Sequence, residues 1–158
     1  MEITTDRKYI ITGAGGGIAG SIIEVFAEAG ARLALVDISP DPIERRADAC
    51  GGTAITADLT DQSATSAMVA EAQDRLGGVD GLIHTTGGFA TAAAVDNDSG
   101  LYQRLFDLNV RTLVVTTAAV LPVLLERGHG FLAGFSAAPG WNRSSGSGMS
   151  IYAAAKAG

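Results

Sequence analysis

The 158-residue sequence predicts an α/β fold, a doubly wound parallel sheet with helices on both faces. The first observation behind this prediction is that short apolar runs alternate with amphipathic segments five times along the chain. The second is that glycines stand where predicted strands and helices end. No repeat and no linker divides the chain, so we expect one domain that spans residues 1–158.

Three predicted strands and three predicted helices alternate in the first half of the chain. In the first helix, apolar side chains recur at intervals of three and four and form one face. Pro42 stands near the start of the second helix and Gly51 follows its end, while Thr60 or Asp61 opens the third. The strands cover residues 8–13, 31–38 and 52–59, and the helices cover 17–30, 41–51 and 60–78.

Two further strands and two further helices are predicted in the second half. Right-handed crossovers between parallel strands would place all these helices alternately on the two faces of the sheet. The long helix of this half should be interrupted at Pro122. The strands cover residues 79–88 and 130–138, the helices cover about 101–127 and the residues from Ile151, and a Gly- and Ser-rich loop covers 139–150.

Composition and charge exclude several classes of function. The net charge of −6 and the 11 scattered basic residues leave no basic face for a nucleic acid. Cys50 is the only cysteine, so no internal disulfide forms, and the polar N-terminus lacks the apolar run of a signal peptide. Both features favour a cytoplasmic protein. The apolar run around Pro122 is too short to cross a membrane, and we expect neither a membrane-bound protein nor a metal site.

A glycine-rich motif, "TGAGGGIA" (12–19), lies between the first strand and the first helix. Gly13 lets the chain turn off the strand, and Gly17 lets backbone approach a pyrophosphate at the positive end of the helix. Ala19 still permits close packing of helix on strand. The alternative is a glycine-rich connection without a ligand, which the strand–loop–helix context disfavours.

Two carboxylates follow the glycines at strand ends. Asp37 can accept hydrogen bonds from the 2′- and 3′-OH groups of a ribose and would repel a 2′-phosphate. Because the next basic residues after it are Arg45 and Arg46, NAD is favoured over NADP. Asp58 can accept from an adenine amino group or cap the next helix, and the sequence alone leaves both roles open.

The last predicted helix places Tyr152 and Lys156 four residues apart on one face. A nearby ammonium stabilises a phenolate, so this tyrosine could exchange a proton with an alcohol or a carbonyl. By spacing alone the pair is equally typical of an ordinary helix surface.

These motifs together resemble the short-chain dehydrogenase/reductase superfamily, in its single-domain NAD(P)-dependent branch. The matching stretches occur in the family's order and cover nearly the whole chain: "TGAGGGIA", "VDI", "ADLTD", "GLIHTTGG", "LNV", "GFSAAPG" and "YAAAK". The resemblance implies a Rossmann-like three-layer α/β/α fold. It also implies that members continue beyond the helix of Tyr152, so the chain is expected to lack the usual C-terminal strands.

The resemblance implies a role for each matching residue. Tyr152 matches the catalytic acid/base, Lys156 the residue that binds the ribose and tunes the tyrosine, and Asn109 the residue that helps hold a proton-relay water. A serine after the fifth strand orients the substrate oxygen, and Ser136 is the candidate. Cofactor contacts are implied for Gly13, Gly15, Gly17, Ile18, Asp37, Asp58, Leu59, His84, Gly87, Tyr152 and Lys156.

Two departures from the family pattern affect these roles. The usual "NNAG" after the fourth strand is "HTTG" here, which removes asparagine side chains that brace neighbouring strands; His84 is interpreted as a packed strand-end histidine rather than a catalytic base. The usual position of the serine falls on Pro139 when counted from Tyr152, and on Ala137 when counted from the fifth strand. Ser150 and the loop serines are weaker candidates than Ser136.

The sequence therefore predicts an oxidoreductase that transfers a hydride between NAD(H) and a small alcohol or carbonyl substrate, as a homo-oligomer (dimer or tetramer). The sequence leaves three alternatives open: a catalytically weak NAD-binding module, an NAD-dependent protein similar to sugar-nucleotide epimerases, or a fragment of a longer enzyme.

Overall fold

The structure, a computed structural model, describes residues 5–142 and 147–157. Five strands and seven α-helices alternate along this part of the chain, with one 3₁₀ turn over Ala94–Asp96 and one π-helical turn over Asp107–Arg111. The strands are β1 (Lys8–Thr12), β2 (Arg32–Asp37), β3 (Thr53–Thr56), β4 (Gly81–His84) and β5 (Phe131–Gly134). The helices are α1 (Gly17–Glu28), α2 (Pro40–Cys50), α3 (Gln62–Leu76), α4 (Ser99–Phe106), α5 (Thr112–Arg127), α6 (Ala138–Trp141) and α7 (Ser150–Ala157).

All five strands are parallel, and their order in the sheet is β3-β2-β1-β4-β5. The order reverses between β1 and β4, where Thr12 is paired with His84. In open parallel sheets a ligand binds beyond the carboxyl ends of the strands at such a reversal. The predicted doubly wound fold is confirmed, and the reversal gives the position of the site.

Two apolar cores lie on the two faces of the sheet because successive strand side chains point in opposite directions. Tyr9 and Ile11 face α1 and α2, and Ile10 faces α3 and α5. Tyr9 also packs edge-on against Phe26 of α1, with ring centroids 4.9 Å apart. Strands that bury both faces account for the continuously apolar runs in the sequence.

The predicted interruption at Pro122 is wrong, because α5 continues through this proline to Arg127. The break in α-helical geometry lies earlier, in the π-helical turn Asp107–Arg111. The side chain of Asn109 donates to the carbonyl of Leu105 at 2.9 Å, and that of Thr112 donates to the carbonyl of Leu108 at 2.8 Å. These side chains thus bond to one backbone carbonyl in the last turn of α4 and to one inside the π-helical turn.

The helical segment Ser99–Arg127 is also longer than the sequence suggested, and by length and composition its 29 residues could cross a membrane. The prediction that the apolar stretch around Pro122 is too short to cross a membrane is therefore wrong with respect to length. Thr116, Val120 and Leu124 of this segment are buried in the domain, as expected for a helix that flanks a sheet.

The predicted loop over 139–150 contains the short helix α6 at its start, and α7 begins at Ser150. The loop serines Ser144 and Ser145 lie outside the described residues. The segment that precedes α4 lies against the start of α7, where the amide of Ala92 donates to the carbonyl of Gly148 at 2.9 Å. The side-chain amide of Asn97 donates to Ser150 Oγ at 2.8 Å in the same region.

Candidate active site

The glycine-rich loop turns at Gly13, between β1 and α1. Gly13 has a φ of +63°, and a Cβ atom there would lie 2.6 Å from the backbone nitrogen of Thr86. Only glycine combines this conformation with so close an approach of two backbones. The loop is thereby held against the residues that follow β4, at the reversal of the strand order.

Helix α1 begins at Gly17 with its first amide groups open. Gly16 precedes it as N-cap and provides no side-chain hydrogen bond, and among the described residues nothing lies within 4 Å of the place that a Cβ of Gly17 would occupy. Ile18 is exposed beside it. An uncapped helix N-terminus with open space in front of it fits a diphosphate, because the free amides and the helix dipole favour negative charge.

Asp37, at the end of β2, contacts the glycine-rich loop directly. One carboxylate oxygen accepts from the amide of Gly15 at 2.9 Å, and the other accepts from the amide of Ser39 at 3.1 Å. These two bonds orient the carboxylate and leave further lone pairs for a ligand hydroxyl.

A small cleft of about 70 Å³ lies between the ends of β1, β2 and β3. Asp58, Leu59 and the exposed Ile38 are among the residues that line it. Asp58 accepts from the amide and the hydroxyl of Thr60, whereas the cap of α3 is Asp61, which accepts from the amides of Ser63 and Ala64. Asp58 is therefore not the helix cap, and it stands at the wall of the cleft.

His84 is a packed residue at the end of β4, as the sequence suggested. Its Nδ1 lies 2.9 Å from Thr12 Oγ1 and its Nε2 lies 3.1 Å from Thr112 Oγ1. Thr112 donates its own hydroxyl hydrogen to Leu108, so it accepts from Nε2–H, and Nδ1 then accepts from Thr12. Burial lowers the pKa of His84 to about 4 and keeps the ring neutral. Both ring nitrogens are occupied, which leaves only the backbone at this position for the predicted cofactor contact.

Thr85 braces the two central strands in place of the family's asparagine side chain. Its hydroxyl donates to the carbonyl of Thr12 at 2.7 Å, and its amide donates to the same carbonyl at 3.2 Å. A bond between the ends of β1 and β4 thus survives the change from "NNAG" to "HTTG".

Asn109 and Lys156 converge on the chain after β4. The Asn109 side chain accepts from the amide of Gly88 at 3.2 Å and donates to the carbonyl of Gly88 at 2.9 Å. A Cβ on Gly87 would lie 2.8 Å from Asn109 Oδ1 and 3.3 Å from Lys156 Nζ. One point is thus close to both polar atoms, so a single water could bridge them.

Tyr152 and Lys156 lie on α7, which packs against α4 and α6. The Tyr152 ring is half-buried and packs edge-on against Phe89, with ring centroids 4.9 Å apart. Lys156 Nζ donates to the carbonyl of Phe135 at 3.1 Å, and burial lowers the pKa of this ammonium group. Lys156 therefore lies beside the residues that follow β4 and β5, at the carboxyl end of the sheet, and the Tyr152 ring lies against Phe89 in the segment after β4.

Ser136, the candidate for orienting the substrate oxygen, lies close to the backbone of Lys156. Its hydroxyl donates to the backbone carbonyl of Lys156 at 2.6 Å. The hydroxyl hydrogen is therefore occupied, and only the oxygen lone pairs are available to a ligand. Ala137, which follows it, is the cap residue of α6.

The sequence reasoning missed Phe89, Ile38 and Arg46 as residues at this site. The sequence signal for the first two is an apolar residue directly after Asp37 and directly after "GLIHTTGG", and the structure leaves both side chains exposed. Arg46 reaches from α2 to backbone carbonyls of the glycine-rich loop, and no sequence pattern marks such a contact. Among the described residues, no group of three or more His, Cys, Asp and Glu side chains could hold a metal ion.

Comparison with known sequences gives one family. The model of the short chain dehydrogenase family matches residues 7–158. Oxidoreductase UcpA of Salmonella typhimurium is 35% identical over 145 residues, which cover 89% of this chain and 55% of that protein. An uncharacterised oxidoreductase of Staphylococcus aureus is 27% identical over 160 residues, which cover 99% of this chain and 68% of that protein.

Solved structures agree with this result. Levodione reductase has a TM-score of 0.91 and 26% identity, over 98% of this chain and 62% of its own. 7α-Hydroxysteroid dehydrogenase, solved with NADH and 7-oxo glycochenodeoxycholic acid, has a TM-score of 0.90 and 29% identity, over 98% of this chain and 62% of its own.

A parallel sheet with a glycine-rich loop at its reversal defines a nucleotide-binding class of α/β domain. The chain belongs to the short-chain dehydrogenase/reductase family of oxidoreductases, as its sequence motifs predicted. It spans 55% to 68% of the length of the two curated relatives described above.

Proposed function

We propose that the protein transfers a hydride between NAD(H) and an alcohol or ketone, with Tyr152 as the acid/base. The observation that carries the proposal is the convergence of Asn109 Oδ1 and Lys156 Nζ at Gly87, because Lys156 lies on the same helix, α7, as Tyr152. A proton donor, a cation and a polar side chain suited to a relay water would then act together at the carboxyl end of the sheet.

The residues of the glycine-rich loop fit a bound dinucleotide. The close approach at Gly13, the open amides of α1 and the oriented carboxylate of Asp37 would receive its diphosphate and its adenosine ribose. Asp37 supports NAD rather than NADP, because a carboxylate repels a 2′-phosphate. The cleft at Asp58 and Leu59 would receive the adenine ring. A bound nicotinamide would supply the hydride acceptor or donor.

The remaining steps belong to side chains of this chain. Tyr152 would pass a proton to or from the substrate oxygen, and the ammonium of Lys156 would stabilise the phenolate that results. Asn109 would hold a water that links Lys156 to solvent. Ser136 is proposed to orient the substrate oxygen. With its hydrogen donated to Lys156, it would accept from an alcohol but must rotate to donate to a ketone.

Replacement of Tyr152 by Phe tests the proposal, with Tyr102→Phe as the matched control. Tyr102 is an exposed tyrosine on α4 that packs on Phe106. NADH-dependent turnover should be measured over a panel of ketones, sugars and secondary alcohols. We expect Tyr152→Phe to lower kcat by about 10²- to 10⁴-fold, the usual worth of a positioned acid/base, without weakening NADH binding. Equal rates in the wild type and this variant would exclude the role of Tyr152.

A second candidate is an NAD-binding module with little catalysis. The occupied hydroxyl of Ser136 and the presence of Ala137 at the family's serine position favour it. Calorimetry with NAD separates the two candidates, since binding without turnover on any substrate supports the module and turnover excludes it.

We also propose that the protein is a cytoplasmic homo-oligomer. Exposed apolar side chains lie along α5, with Val114 60%, Leu121 39% and Leu125 70% exposed. An apolar stripe of this kind on a domain helix is typical of a surface that another subunit covers.

A further inference from the structure

Arg46 forms an unusual contact between α2 and the glycine-rich loop. Its Nη1 donates to the backbone carbonyls of Ala14 and Gly16, the second at 2.7 Å. The side chain is half-buried, whereas the neighbouring Arg45 is exposed. One cationic nitrogen thus holds two carbonyls on alternate residues of the loop, and hydrogen bonds from a charged donor are stronger than neutral ones.

These bonds determine how two peptide groups of the loop are oriented. The Ala14–Gly15 peptide is held at both ends, because Arg46 binds its carbonyl and Asp37 accepts from its N–H at 2.9 Å. The Gly16–Gly17 peptide is held at its carbonyl end. In a trans peptide the N–H points away from the carbonyl, so the amide of Gly17 is directed away from Arg46. That amide is the first of α1, where no side chain caps the helix.

The same contacts bear on whether Arg46 could bind the 2′-phosphate of NADP. An arginine in the helix that follows Asp37 would be a candidate for that role. Its Nη1 donors are instead bound to loop carbonyls, and Gly20 of α1 lies against its Nη2, since a Cβ there would be 3.7 Å from that atom. The Nη1 end of the guanidinium is therefore bound to the loop rather than available to a 2′-phosphate.

We propose that Arg46 is a positioning residue for the diphosphate-binding loop: it turns the carbonyls of Ala14 and Gly16 away from the ligand so that the amide of Gly17 faces the diphosphate. The inference rests on the proposed dinucleotide binding and adds to it a residue outside the glycine motif. Its effect should be largest for the diphosphate. The adenosine half of the ligand would lie against Asp37 and the cleft at Asp58, which Arg46 reaches only indirectly, through the Ala14–Gly15 peptide.

Binding measurements on Arg46→Met test the proposal, with Arg45→Met as the control that removes the same charge from the same helix. NADH and ADP-ribose carry the diphosphate, and adenosine does not. We expect Arg46→Met to weaken NADH and ADP-ribose about tenfold, the loss of roughly one charge-assisted hydrogen bond to the loop, and to change adenosine binding less than about twofold. Arg45→Met should bind all three ligands as the wild type does. Arg46→Lys keeps a donor that reaches a single carbonyl and should fall between the two.

A second measurement needs no ligand and separates positioning from a merely structural role. Amide hydrogen exchange at Gly15, whose N–H donates to Asp37 in the peptide whose carbonyl Arg46 binds, should be faster in free Arg46→Met than in free Arg45→Met, while exchange in the core strands stays the same. Unchanged ADP-ribose affinity in Arg46→Met, or an equal loss for adenosine, would overturn the role of Arg46. Absence of NADH and ADP-ribose binding in the wild type would instead overturn the proposed function. If Arg46→Met does not fold, Arg46→Lys decides the question by the same comparison of ADP-ribose with adenosine.

Discussion

Acidification should destabilise this protein through His84, well above the pH at which carboxylates titrate. In the folded protein the neutral ring accepts from Thr12 and donates to Thr112. Protonation would force Nδ1 to become a donor and leave the buried hydroxyl hydrogen of Thr12 without its partner. Burial accordingly lowers the pKa of His84 from 6.5 to about 4, so the unfolded chain binds this proton more strongly than the folded one.

The sign and the size follow from linkage. Because the folded pKa is depressed, the stabilisation is complete above pH 6.5 and is lost as the pH falls from there towards 4. The loss in the free energy of unfolding amounts to about 1.4 kcal/mol at pH 5.5 and about 2.5 kcal/mol at pH 4.5, towards a limit of about 3 kcal/mol.

Urea denaturation of the wild type and of His84→Asn at pH 7.5, 5.5 and 4.5 measures this loss. The asparagine variant is less stable at pH 7.5 because it gives up packing and at least one hydrogen bond, but its dependence on pH should be shallower by the amounts above. The control is His129→Asn, which removes the other histidine of the chain and should leave the contribution of His84 in place. Parallel pH profiles for the wild type and His84→Asn would refute the reasoning.

Two further predictions concern the loop and the helix surface. Gly13→Ala should abolish NADH binding as measured by calorimetry. The added Cβ, at a φ of +63° and 2.6 Å from Thr86 N, would displace the loop from the chain after β4. A folded variant that binds NADH like the wild type would contradict this account. Leu125→Glu should shift the protein to monomers in light scattering, because it would bury a charge in the proposed contact on α5. The control Val95→Glu should leave the oligomeric state unchanged, because Val95 is 92% exposed in the 3₁₀ turn. A wild type that is already monomeric would end the proposal of a homo-oligomer.

The parts of the fold that could be predicted from the sequence are those with a local cause. Gly13 and Gly17 have a meaning wherever a strand precedes them and a helix follows, and Asp61 caps α3 through amides two and three residues away. The parallel sheet followed from five apolar runs, and β1, β2 and β4 among them bury both faces. In each case the physical cause lies within a few residues of its effect.

The parts that could not be predicted depend on partners distant in the chain or on side-chain bonds without a period. Arg46 holds a carbonyl of Ala14 that is 32 residues away, and its sequence neighbourhood resembles any solvated helix. The helix is irregular at the π-helical turn rather than at Pro122, and the side chains of Asn109 and Thr112 bond to backbone carbonyls there and in the turn before it. Ser136 could be named from its position after β5, but the direction of its hydroxyl depends on the backbone carbonyl of Lys156, 20 residues later on α7.

The position of β1 in the sheet also has a consequence for how the protein is made. One neighbour of β1 in the sheet is β2, the next strand in the sequence, and the other neighbour is β4. Thr12 therefore pairs with His84, which lies 72 residues later in the chain. Pairings of such long sequence separation close large loops and therefore form slowly. Until β4 arrives, the glycine motif has no Thr86 backbone to turn against, and the inner edge of β1 is unpaired and open to other strands. The nucleotide site is thus a product of the assembled sheet, and a nascent chain carries the whole motif for some time before it can hold a ligand.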